Sequence, residues 1–117
     1  LGSAGKDFDQ KLTVTGAVSG LDYLGKSDGV DKITVNGAIL NSTFDLGKGD
    51  NELTATKTDA AGNIRGQTLT DVSITALEGD DTLTYGQFKA TKLSNDAGVP
   101  SAVIDLGEGA DKINIFA

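Results

Sequence analysis

The sequence predicts an all-β protein, a parallel β-helix or β-roll solenoid with 20–30-residue coils. Three observations predict it. Gly/Asp turns superpose on one another along the chain, an alternating strand follows each turn, and 16 glycines are spread through 117 residues, a density that disfavours helix.

The turns are the clearest element. Phe44 to Leu53, Ile74 to Leu83 and Ile104 to Ile113 align without gaps, each carrying Gly or Asp at matching places around Lys48-Gly49-Asp50-Asn51, Glu78-Gly79-Asp80-Asp81 and Glu108-Gly109-Ala110-Asp111. Leu21 to Ile33 fits with three extra residues in its turn, and Leu1-Gly2-Ser3-Ala4-Gly5-Lys6-Asp7 leads into Lys11-Leu12. The apolar residues after the turns, Leu12, Ile33, Leu53, Leu83 and Ile113, follow one another at steps of 21, 20, 30 and 30 residues. Each opens a strand of period 2, such as Ile33-Thr34-Val35 or Leu83-Thr84-Tyr85, with β-branched residues that suit a pleated surface.

A unit of this length cannot bury its own apolar face, whereas units stacked at a strand spacing of roughly 4.8 Å build a continuous core. Leu12, Ile33, Leu53, Leu83 and Ile113 are expected as one inward ladder, with Phe44, Ile74 and Ile104 on the opposite wall. Asp22, Asp45 and Asp105, interrupted by Thr75, are expected as an outward column. The competing architecture is an antiparallel β-sandwich of the immunoglobulin-like adhesin type, with the same turns acting as hairpins. Identical residues at turns of the same kind favour stacking. Residues 1–117 read as one β-repeat domain, an excerpt of a longer protein, with inserted loops at about 57–66 and 88–100.

Composition narrows function. Ten Lys plus Arg stand against 17 Asp plus Glu, a net charge of −7, which argues against nucleic acid and against anionic membrane surfaces. The longest apolar stretches are a few residues, too short to span a bilayer. With no Cys and no His, thiolate nucleophiles and imidazole bases are unavailable. The single arginine, Arg65, has one nearby acid, Asp59, and no convergent acid pair is visible, so an enzyme is not expected.

Gly107-Glu108-Gly109-Ala110-Asp111-Lys112-Ile113 resembles the Gly-x-Gly-x-Asp-x-apolar core of the calcium-binding nonapeptide of the RTX (repeats-in-toxin) family. That resemblance implies a β-roll in which turn carbonyls and the Asp carboxylate hold Ca²⁺ between successive turns. Carried over by position, the ligands fall on Asp31, Asp81 and Asp111, with Asn51 as their counterpart in one turn and Asp7 or Asp9 in the first. Asp50 and Asp80 stand beside the column. Leu77 takes a place that is Gly in the family pattern. A physical argument also points to a cation, because stacked carboxylates on the order of 5 Å apart repel by roughly 1 kcal/mol per pair in water, and Ca²⁺ prefers oxygen-rich turns.

The expected function is a structural or adhesive repeat module of a bacterial surface or secreted protein, such as an adhesin, S-layer or RTX-type exoprotein, stabilised by calcium at its Gly/Asp turns. The alternative is a virion fibre or decoration domain without metal dependence. Expected partners are neighbouring repeats of the same chain or assembly, and cell-surface glycans, at an extracellular, cell-surface or virion location.

Overall fold

The computed structural model describes residues 10–25, 29–89 and 103–115. These residues form strands and turns with no helix. The chain runs through three sheets in a fixed order, and each complete round uses one short strand in each. The first round is β1 (Gln10–Val14), β2 (Val18–Ser19) and β3 (Asp22–Leu24), and the second is β4 (Asp31–Val35), β5 (Ile39–Leu40) and β6 (Thr43–Asp45). The third is β7 (Glu52–Thr58), β9 (Thr68–Thr70) and β10 (Ser73–Thr75), with β8 (Ile64–Gly66) inserted after β7. β11 (Thr82–Tyr85), β12 (Gln87–Lys89) and β13 (Val103–Asp105) follow, and β14 (Lys112–Ile115) opens a fifth.

Strands pair with their counterparts in the next round, in parallel. The first sheet has the order β1-β4-β7-β11-β14, the second β12-β9-β5-β2 and the third β13-β10-β6-β3. The antiparallel sandwich is therefore not the architecture. In the first sheet Leu12, Ile33, Leu53, Leu83 and Ile113 align position for position. Across the third, Tyr23, Phe44, Ile74 and Ile104 do the same. Period-2 alternation turns these residues inward and their Thr, Lys and Glu neighbours outward. The core is a set of apolar columns, with Ile33, Val35, Leu53 and Leu83 facing Phe44, Ile74 and Leu46, and Ile39 and Leu69 supplied by the second sheet, all buried.

Four sequence expectations need correction. Ile113 is 46% exposed, not buried, because β14 pairs with β11 alone among the described strands. A round contains three strands rather than two, since β2, β5, β9 and β12 form a sheet of their own. Residues 57–66 are not a plain loop: β7 runs on past its neighbours and pairs antiparallel with β8, Lys57 opposite Arg65. Finally, Tyr23 rather than Leu21 aligns with Phe44, so Asp22 meets Thr43 and Leu24 meets Asp45, which takes Asp22 out of the acidic column. The inserted loop expected at about 88–100 contributes Phe88 and Lys89 to β12, and its remainder lies outside the described residues.

Leu53 lies midway in its column and is 2% exposed. Leu53→Ala is expected to cost about 2 to 5 kcal/mol in denaturant unfolding. Ile113→Ala, at the half-covered rung, is expected to cost clearly less, and equal losses would contradict this packing.

Candidate functional site

Where the chain leaves the third sheet to re-enter the first, it makes the Gly/Asp turn. Some turn amides still reach backbone carbonyls of the adjacent round, as the Leu77 N–H does to Gly47 and the Glu108 N–H to Leu77, and the others need different acceptors. Side chains supply them across the stack. The Asp31 N–H donates to Asn51 Oδ1 (2.8 Å), the Asn51 N–H to Asp81 Oδ1 (2.9 Å), and the Asp81 N–H to Asp111 Oδ1 (2.9 Å). Beside this ladder runs a second with the opposite sense: the Asp80 N–H donates to Asp50 Oδ1 and the Ala110 N–H to Asp80 Oδ1, both at 2.8 Å. Asp31, Asn51 and Asp81 are buried, Asp111 half-buried, and Asp50 and Asp80 exposed.

Glycine makes this closeness possible. Gly79 and Gly109 have φ of 114° and 128°, which L side chains rarely adopt. A Cβ on Gly79 would also collide with the Gly49 carbonyl, and one on Gly109 with the Gly79 carbonyl. Both the backbone conformation and the distance to the next round therefore demand Gly. Gly47 and Gly107 are left-handed as well, whereas Leu77 between them in the register is not among the positive-φ residues and is 59% exposed.

The sequence-derived residues are thus brought together as columns, and each column is internally bonded. Asp7 and Asp9 lie outside the described residues. Among the described residues, no three acidic side chains converge on a common point that could hold a metal ion. Sequence reasoning placed the right residues in one column but missed what their oxygens do, which is to accept backbone amides of an adjacent round.

Asn51 and Asp81 show the chemical difference between the two residue types at this place. The Asn51 side-chain Nδ2 donates to the carbonyls of Leu46 (3.1 Å), Lys48 (3.2 Å) and Gly49 (3.2 Å). Asp81 occupies the equivalent position one round on, its Oδ1 taken by the Asn51 amide, and its Oδ2 is buried without a hydrogen-bond partner. Burial pushes the Asp81 carboxyl up to about 6, with the neighbouring Asp111 adding to the shift and the Asn51 amide opposing it. At the turn that Gly25 and Asp31 flank, the Tyr23 phenol is pushed up to about 12 by burial and by the Asp31 carboxylate beside it. An Asp31 oxygen fills the space where a side chain on Gly25 would start.

No known protein family, no curated protein and no solved structure matches the chain.

An acid whose folded pKa lies above its unfolded value holds its proton more tightly in the native state. For Asp81 the native state consequently loses stability as pH rises from about 4 to about 6 and is level above that. Asp81→Asn puts an amide where Asn51 already has one. In the absence of divalent cations this variant is expected to be more stable than the parent at pH 7.5, by about 1 to 3 kcal/mol. The gain should shrink toward zero as the pH is lowered to 4. A variant less stable at every pH would contradict the assignment of Asp81 as a strained buried carboxylate.

Proposed function

We propose that this chain is a structural or adhesive repeat module of a bacterial surface or secreted protein, built as a parallel β-helix and stiffened by calcium at its Gly/Asp turns. The observation that carries the reading is the unbroken register: each strand pairs with its counterpart in the next round, and the turns between them bond to one another through Asp and Asn. Such a stack lengthens by adding rounds, each contacting only its neighbours. It suits a spacer or display surface rather than a catalyst. The reading places the module outside the cell, and assigns it neighbouring rounds of the same chain or assembly as partners.

Support for calcium comes from the buried Asp81 Oδ2 that lacks a partner. At the equivalent place Asn51 meets three backbone carbonyls with its Nδ2, and in the register those carbonyls correspond to Ala76, Glu78 and Gly79. A carboxylate oxygen among carbonyl oxygens is a ligand set for a hard cation. In this reading Ca²⁺ neutralises the charge that Asp81 and Asp111 bring into the column, and ties adjacent rounds together.

Two measurements test the reading. Removing residues 33–52 deletes one whole round and joins Lys32 to Leu53 in register. The shortened chain is expected to keep a β-type circular dichroism spectrum and unfold cooperatively at a lower temperature, while an unfolded product would refute modular stacking. Calcium binding to the folded state alone should raise stability by about 2.7 kcal/mol at one hundred times the dissociation constant. A chelator is therefore expected to lower the melting temperature, calcium to restore it, and sodium at matched ionic strength to fail. Asp81→Asn should lose that response and Asp59→Asn should keep it. Identical melting curves in chelator and in millimolar calcium would leave the turns as metal-free ladders.

A further inference from the structure

The β7–β8 hairpin is an addition to the stack. β7 completes its pairing with β4 and β11 over Glu52 to Ala55, and its last three residues serve only to pair with β8. That pairing sets Lys57 directly opposite Arg65, two cations side by side in a chain of net charge −7. Like charges at directly opposed positions are unfavourable. The juxtaposition of Lys57 with Arg65 therefore does not itself stabilise the hairpin.

The tip is braced so that one of these cations is held in place. Asp59 Oδ1 accepts the N–H groups of Ala61 (3.0 Å) and Asn63 (2.9 Å), and its Oδ2 accepts Arg65 Nε at 3.1 Å. The turn closes through the Asp59 N–H to the Asn63 carbonyl and the Gly62 N–H to the Asp59 carbonyl. These bonds, the Asn63 amide first and Arg65 next, hold the Asp59 carboxyl below its ordinary range. Only the Nε edge of the guanidinium is engaged by Asp59. The Arg65 side chain is 57% exposed, so its terminal nitrogens remain accessible.

Beside this tip lies an open cleft of about 370 Å³, lined by Lys57, Thr58, Asp59, Ala60, Arg65 and Gln67. Its chemistry is specific. Two cations suit a carboxylate, with Arg able to grip it through two parallel N–H bonds. A hydroxyl, a side-chain amide and a carboxylate edge alongside supply both donors and acceptors for ring hydroxyls. No aromatic side chain lines the cleft, so charge and hydrogen bonds must hold the ligand rather than stacking.

We infer that the cleft of the β7–β8 hairpin binds an acidic carbohydrate, a uronic acid residue whose carboxylate lies between Lys57 and Arg65 and whose hydroxyls meet Thr58, Asp59 and Gln67. The site stands apart from the Gly/Asp turns and does not depend on calcium there.

The test is calorimetric titration in the presence of a chelator, which keeps calcium from bridging uronates and separates this site from the metal reading. Trigalacturonate and a glucuronate oligosaccharide are the probes. Methyl-esterified trigalacturonate keeps the rings without the charge, and hexaglutamate keeps the charge without the rings. At least one uronate is expected to bind saturably, at least tenfold more tightly than the ester and the peptide. Lys57→Gln and Arg65→Gln should each weaken it at least tenfold, and Lys57→Gln should do so with an unchanged melting temperature. Lys32→Gln, on the first sheet, should have no effect on affinity. No saturable binding of either uronate at low millimolar concentration overturns the inference. So does equal affinity for the ester or for hexaglutamate, or full affinity in Lys57→Gln.

Discussion

The rest of the structure depends on the hydrogen bond from a turn amide to an Asp or Asn side chain of an adjacent round. Within the strands, register maintains itself, because backbone ladders and apolar columns penalise a slip at every position. At the Gly/Asp turns the backbone leaves the sheets and only part of that ladder continues, through bonds such as the Leu77 N–H to the Gly47 carbonyl and the Gly79 N–H to the Glu108 carbonyl. A buried amide left without an acceptor there costs about 1 to 3 kcal/mol. The bonds among Asp31, Asn51, Asp81 and Asp111 remove that cost, and together with the backbone bonds of the turns they hold adjacent rounds at a fixed distance. The demand for glycine at positions 79 and 109 follows from the same closeness.

Stacking like on like has an electrostatic price, and the turn column is where it appears. Asp81 and Asp111 stand next to one another in it, and the Asp81 Oδ2 is buried without a hydrogen-bond partner. Asn51 interrupts the series with a neutral group that donates where a carboxylate cannot. Asp81, with acid on one side and amide on the other, carries the consequence as a raised pKa. Satisfying amides and accumulating negative charge are thus two results of one choice of residue, and the sequence balances them residue by residue along the column.

Much of this is legible in the sequence. Ile33, Leu53 and Leu83 could be aligned because β-branched and apolar residues alternate after each turn, and the Asp column could be found because its members share a place relative to Gly49, Gly79 and Gly109. The second sheet was not found, since strands as short as Val18–Ser19 and Ile39–Leu40 offer no period to detect. A signal did exist. Gly20, Asn41 and Asp71, which end these strands, all have positive φ, and Gly, Asn and Asp are the residues that tolerate it. Tyr23 was misplaced because Leu21, Tyr23 and Leu24 give two competing registers within four residues, and only the partner strand decides between them. The direction of the side-chain bonds in the turn could not be read at all, because one residue type serves equally as a metal ligand or as an amide acceptor.

The opposed sense of the two turn ladders has a consequence for long-range electrostatics. In an α-helix every peptide dipole points the same way, so lengthening the helix builds partial charge at its ends. Here the Asn51 amide points toward the following round and the Asp80 amide toward the preceding one. Their dipoles cancel pair by pair. The amide dipoles of the two ladders therefore do not add along the column as they do in a helix, whereas the formal charge of its Asp side chains does.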